Sequence, residues 1–413
     1  MERKRIIVIG GGPSGMMAAI TAAKEGAFVT IIEHNERIGK KILSTGNGRC
    51  NFTNTQQEPD CYRSDNTAFP WKVISAYSAA QTIADFTAMG IYSKNKNGCL
   101  YPFSEQASAV LDVLRMEIAR LEIQVQTAKH VVEIQKKGRG LLSCIIAEGK
   151  KRSHIEGEAV ILACGSKAAE KLGSDGSGYT IAKKLGHHIV PVVPALIQLR
   201  CKEDFFKALA GVRTHGKVTI RINGKACAAD TGEIQLVDYG ISGIPVFQVS
   251  RFAAKAVSEK KNVAAVLDFM PDFTREQMLS FLRLRVKEHP EKTMDVFFTG
   301  VLHKKLSGVL LKQAGIPFGK TAGNLTEQEL IDIVEIVKGF TVQVTQPNPF
   351  GMAQVCAGGV DTREVNPDTM ESLLVKGVYF AGELLDVDGM CGGYNLQWAW
   401  SSGYLAGKGA AHA

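Results

Sequence analysis

No stretch of this sequence approaches the ~18 consecutive apolar residues that a membrane-spanning helix needs, so no helical span is expected. No secretory leader is expected either. The opening Met1-Glu-Arg-Lys-Arg-Ile-Ile-Val-Ile-Gly10 begins with basic residues, but its apolar run is four residues long, against the roughly 7–15 a leader requires. That run reads as a strand, and the expected location is the cytoplasm. Nine cysteines lie scattered at positions 50, 61, 99, 144, 164, 201, 227, 356 and 391, with no Cys-x-x-Cys and no histidine at zinc spacing. No metal site is expected, and the plain reading is reduced, mostly buried thiols. Internal repeats are absent, and the 42 Gly and 13 Pro are spread along the chain instead of forming a low-complexity tract. No RNA-binding module is recognisable.

The 413 residues exceed one small core and suit two or three packed domains. A 45% hydrophobic and 22% charged composition is that of an ordinary globular protein. The net charge of +8 includes short basic clusters at Arg3–Arg5, Lys40–Lys41, Lys136–Lys137, Lys150–Arg152 and Lys304–Lys305. This excess favours an anionic ligand without choosing between a phosphate-rich cofactor, an acyl-CoA and RNA.

The chain opens on a βαβ pattern: a buried strand over 5–10, a small-residue helix over 14–26 and a second strand over 27–33. Helices follow over 72–90 and 105–120, then a β-rich stretch over 123–165 ending in the apolar run Ala159–Cys164. A Gly-Ser-Asp-Gly-Ser-Gly segment from Gly173 leads into a helix at Tyr179–Leu185. Residues 189–270 read as short strands, with a hairpin signal at Asn223-Gly224. Helical character fills 274–337, with caps at Thr274 and Thr326, and strand character returns over 340–365. A strand at Gly377–Gly382, a polar Gly-rich loop and a small-residue helix close the chain. The expected fold class is α/β: a Rossmann-like cofactor domain (1–188 and 345–413) interrupted by a β-rich, barrel-like substrate domain (189–273 and 338–344) and a small helical cap (274–337).

Gly10-Gly11-Gly12-Pro13-Ser14-Gly15 fits G-x-G-x-x-G, a weak pattern alone but a specific one between a strand and a helix with Glu33 ending the next strand. Gly10 permits the tight turn, Gly12 lets backbone approach a pyrophosphate, and Gly15 lets helix and sheet pack closely. The helix N-terminus offers unpaired N–H groups to phosphate, and Glu33 is placed to bind ribose hydroxyls. The distal Val378-Tyr-Phe-Ala-Gly382-Glu383 resembles the second FAD signature of glutathione-reductase-like flavoproteins, in which the strand-end acid holds the ribityl or phosphate region. The pairing argues for FAD over a bound nicotinamide cofactor. No second G-x-G-x-x-G follows, so NADH or NADPH is expected only as a transient electron donor. Cys50 has no partner at short spacing, which disfavours dithiol chemistry.

Two further stretches are too polar and Gly-rich for plain core. In Gly39–Asn54, Gly46 and Gly48 let backbone approach a planar ring, while Arg49 and Asn51 can hydrogen-bond to flavin edges. In Asp386–Trp400, Gly392 and Gly393 precede a helix whose N-terminus can face the flavin. The expected cofactor set also takes in Asn47, Cys50 and Tyr394 within these stretches. It extends to His34, Lys40, Lys41, Asp386, Asn395 and Leu396 in or beside them, and to Val131, Ala163 and Gly165 on the β-rich stretch.

These motifs, with Gly-Ser-Asp-Gly-Ser-Gly-Tyr at 173–179 and Tyr-Gly-Ile-Ser-Gly at Tyr239–Gly243, resemble the BaiN/RdsA family of NAD(P)/FAD-dependent oxidoreductases along nearly the whole chain. The resemblance implies an FAD domain, a barrel-like insertion, a helical cap and reduction of an activated C=C bond. It associates two substrates with the family: a conjugated 3-oxo steroid of bile-acid metabolism and a uracil ring of ribosomal RNA. The run Cys164–Gly173 departs from the Gly-Gly-x-Ser-x-Pro type found in many members, which bears on transferring any one member's substrate.

Both substrates are carbonyl-conjugated alkenes, so hydride reaches the β carbon and an acid protonates the α carbon. Cys50 and Tyr394 are the candidate acids, ahead of His187, which with His188 follows a helix end at Gly186. Trp398 and Trp400 read as core. The leading expectation is a reductase of a small conjugated ketone of the steroid kind, free or CoA-linked. A dihydrouridine synthase acting on ribosomal RNA is the alternative, and a non-catalytic flavin redox sensor a third.

Overall fold

The computed structural model describes residues 3–149 and 151–413, so Lys150 of the basic cluster lies outside the described residues. Contacts divide the chain into Met1–Val192 with Phe350–Ala413, and Val193–Pro349.

The first unit is built on a five-stranded parallel sheet in the order Val378–Phe380, Ala159–Leu162, Arg5–Ile9, Phe28–Ile32, Gln124–Gln126. Its central strands carry unbroken apolar runs because both faces are covered, and Ile6–Ile9 and Ala159–Leu162 are buried throughout. The strand from the far end of the chain thus joins the same sheet as the first one. The helix Pro13–Lys24 starts on a proline, whose missing N–H costs nothing in the first turn. The C-terminal helix Tyr394–His412 lies on it almost backbone to backbone: a Cβ on Gly403 would sit 2.4 Å from the Ser14 carbonyl oxygen, and one on Gly407 2.3 Å from that of Ala18. Small residues on both helices are therefore a packing requirement.

The helix expected over 72–90 is two helices, Ala68–Ala76 and Ala79–Ala88. The break falls at Tyr77–Ser78 because Ser78 caps the second helix in a reciprocal box with Gln81. Tyr77 also turns inward, stacking on Tyr404 with ring centroids 4.2 Å apart.

The second unit is a closed barrel in the order Leu199–Cys201, Gly240–Ser242, Lys225–Val237, Arg213–Ile222, Val263–Asp268, Phe340–Pro347. Alternation puts Val218, Ile220, Ile234, Leu236, Ala265 and Leu267 inside. The Asn223-Gly224 turn has φ of 49° and 80°, the left-handed pair that a two-residue hairpin demands. The short-strand expectation for 189–270 missed the helix Ile244–Ser258. Its Val246, Val249, Ala253 and Ala256 recur at helical spacing on the buried side, and Pro245 sits in its first turn, where proline is tolerated. The β-branched residues there mimic a strand, and packing against the barrel overrides that propensity. Thr274 and Thr326 each close a capping box, with Gln277 and Glu329. The helices that follow them share one apolar core with the barrel. Among the described residues, no helix is long and apolar enough to cross a membrane.

Candidate functional site

The three fingerprint glycines answer to three different constraints. Gly10 has φ of 104°, and a Cβ there would stand 2.4 Å from the Ala163 carbonyl oxygen, itself on the turn leaving the neighbouring strand. A Cβ on Gly15 would fall 1.9 Å from the Gly10 oxygen. Gly12 is different: nothing lies within 4 Å of a Cβ built on it. The first helix begins at this residue with no side-chain cap, so its N-terminal N–H groups open onto free space. Ser14 is buried, and Gly382 packs against it, a Cβ on Gly382 lying 2.4 Å from Ser14 Oγ. The two signatures, about 370 residues apart in the chain, are thereby brought together.

Glu33 is buried and oriented by backbone: its Oε2 accepts from Gly11 N at 2.7 Å and its Oε1 from Asn35 N at 2.8 Å. His34 flanks it, Nδ1 lying 3.3 Å from Oε1, and His130 lies near His34 with ring centroids 6.0 Å apart. Val131, beside His130, is buried on its strand, and Gly165 takes a left-handed φ of 73° after Ala163. On the distal side, Glu383 Oε2 accepts from Lys41 Nζ at 2.6 Å and from Ser166 Oγ at 3.1 Å. Lys40, its neighbour, is exposed. Gly382 donates its N–H to Ser402 Oγ at 2.9 Å and accepts from Trp398 Nε1 at 3.0 Å. Ser166 and Ser402 were not expected. Ser166 stands one residue past Gly165, but only the sheet order aims it at Glu383.

The loop over 46–51 turns through left-handed φ values at Gly46, Asn47, Gly48 and Cys50. It interlocks with the loop that starts the C-terminal helix. Asn54 Nδ2 donates to the Gly392 carbonyl at 2.8 Å, Thr53 Oγ1 to Gln397 Oε1 at 2.6 Å, and Trp400 Nε1 to the Phe52 carbonyl at 2.8 Å. Among the described residues Asn51 Oδ1 is buried with no hydrogen-bond partner, close to Gly393, where a Cβ would stand 2.8 Å away. Gly393 begins the C-terminal helix in a left-handed conformation and without a side-chain cap. Arg49 reaches outward to an ion pair with Glu105 at 3.6 Å.

Several expected residues also make contacts within the scaffold. Asn395 staples its own loop, its Oδ1 accepting from Gly389 N at 2.8 Å, and Leu396 packs in the core. Asp386 is buried with one oxygen on Asp65 N at 2.8 Å and the other on Gly358 N at 3.1 Å. Trp398 and Trp400 are wholly buried. Cys50 is 0% exposed, and burial pushes its thiol up to about 12, opposed by a hydrogen bond with Thr45. In this fold no face of the Cys50 thiol reaches the surface. Tyr394 meets Tyr62 edge-on at 5.9 Å, and burial raises its phenol above the ordinary 10, with the Cys61 thiol beside it adding to the effect.

His187 lies outside this cluster, its Nδ1 3.0 Å from Glu364 Oε2 and its Nε2 2.8 Å from Ser372 Oγ. Burial lowers its pKa below 6.5, against the attraction of Glu364. Protons therefore bind the unfolded chain more readily, so the stability this residue contributes is present above pH ~6.5 and is lost as pH falls through the folded value. Urea unfolding at pH 7.5 and 5.5 is expected to show a steeper loss for wild type than for His187→Gln, up to about 1.4 kcal/mol per pH unit. Equal slopes would rule the effect out.

An uncapped helix N-terminus over empty space, a second at Gly393 and a buried acceptor without a donor together fit an elongated dinucleotide with a planar, N–H-bearing ring. The chain matches the HI0933-like protein Rossmann domain over residues 4–409. It is 44% identical over 409 residues, 98% of this chain and 99% of the other, to a 3-dehydro-bile acid delta(4,6)-reductase of Clostridium scindens. It is 28% identical to ribosomal RNA dihydrouridine synthases of Haemophilus influenzae, over 96% of each chain, and of Escherichia coli, over 99% of this chain and 98% of the other. The chain thus belongs to the HI0933-like Rossmann-domain family.

Proposed function

We propose that this chain is an FAD-dependent oxidoreductase that uses NADH or NADPH to reduce a carbonyl-conjugated C=C bond, with a 3-oxo-Δ4 or Δ4,6 steroid acid as lead substrate. The observation that carries this reading is the 44% identity along 98% of the chain to a 3-dehydro-bile acid delta(4,6)-reductase. Bound FAD supplies hydride chemistry, and the remaining tasks fall to the protein. The open N-terminus at Gly12–Gly15 holds the pyrophosphate through backbone N–H groups and the helix dipole. Glu33 takes the adenosine ribose, and Glu383, held by Lys41 and Ser166, takes the ribityl or phosphate side. Asn51 Oδ1 accepts from a ring N–H, satisfying an otherwise orphaned buried oxygen. The helix start at Gly393 favours negative charge at its end of the ring. Tyr394, which keeps its proton at neutral pH, is assigned the donation to the α carbon.

A ribosomal RNA dihydrouridine synthase is the second reading, favoured by the two relatives at 28% identity and by the +8 charge. Anaerobically, NADH or NADPH is expected to bleach the flavin of the loaded protein, and a 3-oxo-Δ4,6 steroid acid to restore its colour. Reoxidation by a uridine-containing RNA fragment instead transfers the assignment to the second reading. Bleaching that neither substrate reverses eliminates both, and a flavin that neither nucleotide reduces points to a redox sensor.

A further inference from the structure

The strands Ser93–Lys96 and Cys99–Pro102 form a hairpin whose two faces differ in chemistry. Alternation turns Leu100 and Pro102 into the core. The other face sets Lys94 opposite Tyr101 and Lys96 opposite Cys99. Tyr92 and Phe103 extend that face by one pair: Phe103 N donates to the Tyr92 carbonyl at 2.7 Å, and the rings lie 5.4 Å apart. These two rings are 74% and 62% exposed, an unusual placement for a pair of large aromatic side chains. Cations stand over the aromatic faces, Lys94 Nζ 5.9 Å from the Phe103 centroid and Lys96 Nζ 5.6 Å from that of Tyr101.

Lys94 and Lys96 both donate to Glu105 Oε1 at 2.8 Å, and Arg49 Nη1 lies 3.6 Å from Glu105 Oε2. Among the described residues no second carboxylate pairs with these three cations, so two positive charges stay unbalanced on this face. Exposed rings stack on the π face of a base, and clustered cations hold phosphate. The surplus matches one phosphate monoester, which carries about −1.5 to −2 at neutral pH. The face also runs into the loop over 46–51. Arg49 belongs to that loop, and a Cβ on Gly46 would stand 3.4 Å from Tyr101 Cε1. Cys99 Sγ lies 3.9 Å from the Gly392 carbonyl, beside the start of the C-terminal helix. Hairpin and flavin-ring residues thus adjoin within one unit of the fold. The proposed reduction draws a nicotinamide dinucleotide from solution, and the sequence has no second G-x-G-x-x-G to hold one. A nucleic acid strand calls for cations continuing along a groove, whereas the hairpin offers one short cluster.

We infer that the hairpin face of Tyr92, Lys94, Lys96 and Phe103 binds the adenosine 2′-phosphate end of NADPH and so selects NADPH over NADH. This deepens the reductase reading and rests on it for the choice of donor. The test uses the FAD-loaded full chain and adenosine 2′,5′-bisphosphate, which has no nicotinamide, with 5′-AMP as the counterpart lacking the 2′-phosphate. Binding is measured by calorimetry for wild type, Phe103→Ala, the double variant Lys94→Gln/Lys96→Gln, and Glu105→Gln. Wild type is expected to bind the bisphosphate about 10-fold more tightly than 5′-AMP. Phe103→Ala is expected to weaken both ligands about 10-fold through lost stacking. The double variant is expected to weaken the bisphosphate alone, by about 10-fold. Glu105→Gln is expected to tighten the bisphosphate about threefold, because the shared acid no longer competes for the lysines. A residue that only props the hairpin would not produce that gain. If the double variant fails to fold, Glu105→Gln and Phe103→Ala decide. Bisphosphate binding unchanged in every variant overturns the proposal. So does tighter binding of adenosine 3′,5′-bisphosphate, the mark of a coenzyme A site, or variant-sensitive binding of an oligouridylate alone, the mark of an RNA surface. None of these ligands needs turnover. A wild type that binds the bisphosphate through this face but reduces no enone sinks the reductase reading and keeps this one. A wild type that reduces enones with NADPH at an affinity the variants leave unchanged does the reverse.

Discussion

An alanine at Gly12 is expected to leave the protein folded and strip it of FAD. Gly12 sits at φ −77° and ψ −175°, a conformation open to alanine, and the added Cβ meets no protein atom within 4 Å. At a compatible position Gly→Ala stabilises by about 0.4–1 kcal/mol through the unfolded chain, so melting is expected to hold or rise slightly. In the proposed reading the same methyl would occupy the space in which the FAD pyrophosphate meets the helix N-terminus. Each charge-assisted hydrogen bond lost there is worth about 1.5–3 kcal/mol, or roughly 10- to 100-fold in affinity. Purified Gly12→Ala is expected to be colourless and to bind added FAD at least about 10-fold more weakly by flavin fluorescence. Gly15→Ala is the contrasting control, because its methyl collides with the Gly10 oxygen at 1.9 Å and the fold itself suffers. A yellow Gly12→Ala with wild-type affinity would mean that no phosphate lies at this turn.

The second large effect is expected at Gly403. Helix propensity alone says that Gly→Ala inside a helix gains about 0.5–1 kcal/mol. The packing says the opposite: the methyl would stand 2.4 Å from the Ser14 carbonyl oxygen and 3.2 Å from Met17 Cβ. Overpacking typically costs about 1–3 kcal/mol, and a backbone oxygen has no rotamer by which to escape, so the upper end applies. Gly403→Ala is therefore expected to destabilise by about 2–2.5 kcal/mol net in urea unfolding and, in the proposed reading, to loosen FAD, since Ser14 touches both Gly403 and the Gly382 signature. A stabilised Gly403→Ala would show that the two helices are not in backbone contact.

Much of the fold was legible because local rules govern it. The apolar runs at Ile6–Ile9 and Ala159–Leu162 could only be covered strands, Asn223-Gly224 could only be a tight hairpin, and Thr274 and Thr326 carried their caps beside them. The helix Ile244–Ser258 and the break at Tyr77–Ser78 were not legible. There β-branched composition and an apolar continuation pointed one way, and packing against the barrel, or a stacked Tyr404, decided the other. At the site, residue types were readable and partnerships were not. Nothing near Lys41 announces Glu383, and nothing near Cys50 distinguishes a reactive thiol from an enclosed one.

The amino-acid order by itself determined the strand–turn–helix around Gly10–Gly15, the hairpins and the caps, because each depends on φ preferences and spacings within a few residues. Tertiary structure alone decided that Ser14 meets Gly382, that Asn51 Oδ1 finds no donor among the described residues, and that Arg200 stacks on Tyr239. Those facts come from contacts between segments far apart in the chain, where shape and burial, not local pattern, choose the neighbour.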